Sequence, residues 1–259
     1  MNILRTFTKK SLLANRTRTI VTVIGIILSM ALVTAVIEGA YSGHQFLIRS
    51  LEEEEGAWMV SETDLAPEDA EALRHTDGVG KSAVWNEVGW GMIAPERDGR
   101  GEKPYMLVES MGDGIEDLLA IRLVSGRMPE NSGEILLPTN LARSSGVSFR
   151  EGDTLTAALG RRVTDAGEPL SIFEPFGGPS GEFTETVADP KERAYAVVGL
   201  YEPFTWEVDP YESPGFIALT RGESGNGNTT VFCTLKHPSK TVAWLDAHPQ
   251  TACGECTAI

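Results

Sequence analysis

The groups in this 259-residue chain whose types could do chemistry are four histidines, three cysteines and 37 acidic residues. The histidines stand at positions 44, 75, 237 and 248, so no two have the i, i+4 spacing that places a pair of imidazoles on one helix face around zinc. Cys253-Gly-Glu-Cys256 is a single C-x-x-C pair near the end of the chain, and Cys233 is remote from it in sequence. A redox or tetrahedral metal site would require a βαβ setting or a second ligand pair, and the sequence shows neither. Gly222-Glu223-Ser224-Gly225-Asn226 approaches the G-x-S-x-G turn of a nucleophilic serine but lacks its closing glycine. The run from His75 to Ser82 ends in Lys81-Ser82 like a phosphate-binding loop, yet His75 occupies the place where glycine must let the backbone wrap the phosphates. Carboxylate pairs are frequent, as 37 acids make inevitable. The sequence therefore nominates no catalytic residue, no metal ligand and no cofactor.

The elements that would position any site begin with an anchor. Residues 19 to 37, TIVTVIGIILSMALVTAVI, carry no charge, and Arg5, Lys9, Lys10, Arg16 and Arg18 precede them without an acid. An apolar helix of about 20 residues matches a hydrocarbon core roughly 30 Å thick, inside which every backbone polar group must bond within the helix. A span over 19–40 is expected, with Ile20, Val23, Gly25, Ile27, Ser29, Leu32 and Ala35 among its membrane-embedded residues. Basic residues are retained in the cytoplasm, so residues 1–18 are expected inside, as an amphipathic helix built on Ile3, Leu4, Phe7, Leu12 and Leu13, with the bulk of the chain outside. A cleaved signal peptide competes with this reading, but the apolar run exceeds the usual h-region of about 7 to 15 residues. Ala31, Ala35 and Gly39, and Gly25 with Ser29, recur every fourth residue and would permit close approach of a second helix; small residues are also common in such helices generally.

Beyond the anchor, removing five cations from 22 leaves 17 against 37 acids, a net charge of −20. So acidic a domain is a poor partner for nucleic acid or anionic head groups. Glu52 to Glu55 read as a solvated helix end. Leu65–Thr76 carries helix signals, with Pro67 in the first turn and Gly78 past the end. Strands are expected near 79–84, 105–109, 134–137, 154–159, 194–201, 215–219 and 230–236, with a short helix through Leu141 and Ala142 and a hairpin turn at Asp165-Ala166-Gly167. Residues 171–191, rich in glycine and proline with Phe173, Phe176 and Phe183, read as a long loop or flap that could present a binding surface. Interleaved short strands and helices give an α+β class: a mixed-sheet extracytoplasmic domain of two subdomains on one N-terminal transmembrane helix.

The stretch from Ile121 to Gly160 carries a Gly126-Arg127-x-Pro129 turn, then Glu134-Ile135-Leu136, a short helix through Leu141 and Ala142, and Gly152-Asp153 before Leu155. This order resembles the extracytoplasmic core domain of MacB/FtsX-type ABC transporter permeases. Asn15 to Thr19 before the apolar run, Leu73 to Val79, and Tyr195 to Gly199 are similar to further parts of that family, so the resemblance extends to about Ala243. Chemically, Gly126, Arg127, Pro129, Glu134, Ile135, Gly152 and Asp153 read as scaffold rather than as reactants. The resemblance implies domains at 19–40 (span) and 41–243 (outer core), an atypical tail at 244–259, and a permease that pairs with itself or a second permease. It implies a separate cytoplasmic ATPase as partner, and cargo in the form of an exported peptide, antibiotic, lipoprotein or cell-envelope protein. The family places further spans after the outer domain, whereas no second apolar run precedes Ile259; the chain is expected to be truncated and not transport-competent alone. A membrane-anchored binding module and an anchored hydrolase are the alternatives.

Overall fold

The computed structural model describes residues 14–93, 103–179, 181–205, 208–247 and 256–258. The chain divides between Leu51 and Glu52 into two units. The first is dominated by helix α1 (Arg16–Glu54), 39 residues with no buried member. At 1.5 Å per residue that is about 58 Å, nearly twice the hydrocarbon thickness, so the helix runs on past the apolar segment toward the Glu52–Glu55 acids as its unbroken sequence suggests. Its most apolar 18-residue window has a mean hydropathy of 2.8, and length and composition make it a candidate membrane span. Two hydroxyls inside it bond back one turn, Thr22 Oγ1 to Arg18 O at 2.9 Å and Ser29 Oγ to Gly25 O at 2.8 Å, which satisfies them without water. The amphipathic helix expected over 1–18 falls mostly outside the described residues.

The second unit runs through β1 (Val60–Leu65), α2 (Pro67–Arg74), β2 (Val79–Met92), β3 (Tyr105–Met111), β4 (Leu123–Gly126), β5 (Glu134–Pro138), α3 (Asn140–Ser145), β6 (Thr154–Thr164), β7 (Glu185–Tyr201), β8 (Gly215–Arg221), β9 (Thr229–Leu235), α4 (Thr241–Ala247) and β10 (Cys256–Ala258). All ten strands join in one mixed sheet, ordered β10-β1-β9-β2-β3-β8-β5-β7-β4. Strand β6 bridges β7 and β2, meeting β2 at Trp90↔Gly160. The pairings β2-β3-β8-β5-β7-β6 and back to β2 therefore close into a ring of six strands.

Period-2 alternation explains the interior of that ring. Met106 and Val108 of β3, Ile135 and Leu137 of β5, Leu155, Ala157 and Leu159 of β6, Tyr195 and Val197 of β7, and Phe216 and Ala218 of β8 form one buried cluster. The intervening Met111, Leu136, Ile217 and Leu219 face outward and, with Tyr201, which changes face after the register shift between Val197 and Gly199, build a second cluster with Trp85 of β2, Trp58 and Phe232. The two expected subdomains thus share one continuous sheet, and what is doubled is the core. Trp85 and Phe232 meet edge-on, with ring centroids 4.9 Å apart at 85°.

The loop expected over 171–191 is shorter than the sequence suggests. Residues 185–191 belong to β7, and Glu185, Thr186 and Val187 pair with Thr164, Val163 and Arg162. Pro190 is accommodated because the register shifts between Leu159 and Arg161, so it lies in a bulge where no ladder donor is required. The hairpin turn at 165–167 forms as expected, closed by Gly167 N to Thr164 O at 2.9 Å and by Thr164 N to Glu168 O at 2.9 Å. Within the 244–259 tail, α4 continues to Ala247 and β10 adds an edge to β1, with Val60 opposite Ala258. Cys253 lies outside the described residues.

Candidate functional site

The motif residues at 126–155 are scattered in sequence but gather around β7. Gly126 pairs with Gly199, Glu134 with Ala196, and Thr154 also with Ala196 on the other side of the strand. Gly126 has a φ of 76°, and a Cβ there would fall 2.1 Å from the carbonyl oxygen of Val198, so only glycine fits. The Arg127 guanidinium donates to both carboxylate oxygens of Glu134, at 2.8 and 2.5 Å, and Glu130 N donates to the same carboxylate at 2.8 Å. These hydrogen bonds lower the Glu134 carboxyl to about 2, Arg127 being the larger cause. Pro129 offers its carbonyl to Arg221 Nε at 3.2 Å. Ile135 is fully buried in the ring interior. Gly152 N donates to Val197 O and Val197 N to Asp153 O, both at 2.8 Å, while the Asp153 carboxylate accepts from Arg150 N at 2.7 Å. Each of these groups is engaged in turn or strand geometry.

Three other places carry polar chemistry. Arg162 and Glu185 are both fully buried and bonded through two N–H···O contacts at 2.8 and 2.7 Å. Arg162 also donates to Ser171 O at 2.7 Å and Pro175 O at 3.2 Å, and its guanidinium lies 5.4 Å from the Trp90 ring centre. Gly177 N donates to Glu185 at 3.0 Å. In the part of the expected 171–191 loop that precedes β7, the ion pair straps residues 171–177 across Trp90, Tyr105 and Leu107, where Ile172 and Phe176 complete a small apolar cluster. Second, Arg193, Tyr195 and Glu223 line an open polar cleft of about 410 Å³ with Ser132 and Ser224. Glu223 accepts from Arg193 at 2.6 Å and from the Tyr195 hydroxyl at 2.8 Å, and burial with this carboxylate pushes the phenol up. Third, Glu87 and Glu109 stand directly opposite one another across β2 and β3, both buried.

None of these sites pairs a nucleophile with a base. Among the described residues no group of three or more His, Cys, Asp or Glu side chains is placed to hold a metal ion. The strap and the carboxyl pair escaped sequence reasoning because each joins residues more than 20 positions apart, whose partnership depends on register. Of the span residues, Ile20, Val23, Ile27 and Leu32 project from α1 without any protein covering, while Gly25, Ser29 and Ala35 share its exposed surface.

No family model and no curated protein matches the chain. Solved structures do. The extracellular domain of the ABC-type transporter YknZ from Gram-positive bacteria is similar at 10% identity and a TM-score of 0.38, over 76% of this chain and 99% of that one. The periplasmic region of MacB from Actinobacillus actinomycetemcomitans is similar at 13% identity and a TM-score of 0.36, over 80% of this chain and 91% of that one.

Proposed function

We propose that this chain is the N-terminal part of an ABC transporter permease of the mechanotransmission type: a cytoplasmic N-terminus, a span over 19–40, and an outer core domain that contacts cargo or a partner protein. The observation that carries the reading is the convergence on β7. The Gly126-Arg127-x-Pro129 turn, Glu134-Ile135, Gly152-Asp153 and Tyr195–Gly199 resemble the permease core one by one in sequence, and they touch one another in space. Chance matches to short motifs have no reason to assemble into one neighbourhood. An apolar helix without a buried residue supports the same reading, since nothing but lipid or another helix would cover it.

Under this proposal ATP is hydrolysed by a separate cytoplasmic subunit, the permease works as a pair, and cargo is an exported peptide, lipoprotein or envelope protein met at the outer surface. The acidic domain, with its exposed carboxylates, suits cationic rather than anionic cargo. The test is co-purification. Joined to the downstream spans that the permease reading requires and extracted in mild detergent, the protein should bring down an ABC ATPase and a second permease copy; recovery of that longer protein without any ATPase would contradict the proposal.

A further inference from the structure

The Glu87–Glu109 pair is an arrangement that ordinary strand pairing avoids. Side chains of directly opposed residues project from the same face with Cβ atoms about 5 Å apart, and two like charges so placed repel. Glu87 is 8% and Glu109 5% exposed, so water does not screen them. Glu87 is held by the 222–228 loop: Asn226 Nδ2 donates to its carboxylate at 2.5 Å, Asn226 N donates to its carbonyl at 2.7 Å, and its own N–H donates to Asn228 O at 3.0 Å. Glu109 faces a small, partly open cavity of about 20 Å³, room for one water-sized guest, lined by Ser61 and Thr63 of β1, Thr230 of β9, Trp85, Phe232, Val208 and Ile172 with Phe173 of the strapped segment. Glu109 Oε2 and Thr63 Oγ1 are both buried without a hydrogen-bond partner.

We propose that Glu87 and Glu109 together form a proton-binding site, and that losing its protons loosens the seam where β1, β2, β3 and the 222–228 loop meet. Each proton departs from a neutral carboxyl to solvent, and once both have left, two buried carboxylates stand opposite one another beside Asp64. Among the described residues the charges acting on the pair are those of Asp64 on both and of Glu87 on Glu109; Glu87 also faces the amides Asn226 and Asn228 and the Trp90 indole, and hydroxyls and apolar groups line the cavity beside Glu109. Burial is the main cause that pushes Glu87 up to about 7, with Asn226 opposing and Asp64 reinforcing, and that raises Glu109 well above the usual carboxylate range. A carboxyl that binds its proton more tightly folded than unfolded stabilises the fold fully at pH values below the unfolded carboxylate range. That contribution is lost as pH rises through the folded value, here across roughly pH 4.5 to 7 and beyond. The inference does not depend on the transporter reading.

The test uses the full chain in detergent, labelled with glutamate carrying ¹³C at Cδ, and urea unfolding between pH 5 and 8.5. One or two carboxyls should titrate near or above pH 7. The wild-type unfolding constant should rise by about 10- to 300-fold across the range, one to two and a half pH units of linkage. Glu109→Gln, which keeps the shape and removes the charge, should take the Glu109 share out of that slope and leave Glu87, raised mainly by burial, titrating near 7, whereas Glu87→Gln should remove the Glu87 signal and bring Glu109 partway down; if one variant fails to fold, the other and the wild-type titration carry the same test. All glutamate carboxyls titrating below pH 5 would overturn the proposal. So would a neutral-pH carboxyl signal that disappears on adding Na⁺ or Ca²⁺ at constant ionic strength, since the cavity would then be a cation site.

Discussion

At the residue scale the chemistry of this protein is the chemistry of holding turns and burying charge. Arg127 and Glu134 show how a motif that looks catalytic in isolation works as a clasp: the carboxylate accepts two guanidinium bonds and one backbone bond, and its titration moves to about 2. Because the folded value lies below the unfolded one, the clasp contributes at every pH above the ordinary carboxylate value of about 4.3 and fails only as pH falls toward 2. Replacing Arg127 with Met should return the Glu134 titration toward about 4 in a carboxyl NMR experiment, while the Glu130 N–H bond keeps it slightly depressed. The sequence showed these residues as scaffold because Gly-Arg-x-Pro and Gly-Asp are local turn chemistry. It could not show Glu87 opposite Glu109. That pairing is set by the register of a long hairpin, and among 37 acids two glutamates 22 positions apart carry no signal of their own.

At the element scale, the strands were legible wherever one face is apolar. Leu155, Ala157 and Leu159 alternate with Thr154, Thr156 and Ala158, and the burial pattern of β6 follows that alternation. Helix α2 was legible from Pro67 and the first-turn acids. The extension of β7 back to Glu185 was hidden by Pro190 and the nearby glycines, whose loop signal is overridden by a bulge in β7, where Asp189 and Pro190 stand against the single residue Gly160 of β6. The strap was hidden as well, since Arg162 follows Arg161 and only one of the two turns inward: Arg161 pairs with Asp189 at the surface. Breaking the strap has a defined cost. Arg162→Met leaves the Glu185 carboxylate buried without its partner, for which a loss of about 3 to 5 kcal/mol is typical. Urea unfolding should show that loss together with faster proteolytic cutting within 171–184. The double variant Arg162→Met with Glu185→Leu should lose clearly less than the Glu185-intact single, as an apolar pair replaces an apposed charge.

At the scale of the whole molecule, a long apolar helix and a folded acidic domain were both legible from charge and hydropathy, because lipid and water impose opposite rules on long stretches of chain. The closing of six strands into a ring, with one core inside and one outside, was not, since pairing order lies in contacts between distant residues. The proposed function rests on topology at this scale: under it, the domain stands on the side of the membrane opposite the five N-terminal cations. The direct measurement places a cysteine at Tyr211, a fully solvated position, in a background with Cys253 and Cys256 changed to serine and Cys233 kept in its buried place. Intact cells treated with a membrane-impermeant maleimide should label Tyr211→Cys as completely as lysed cells do, and a second cysteine placed before Arg16 should label only after lysis. Labelling of the N-terminal position in intact cells, with Tyr211→Cys protected until lysis, would contradict the account.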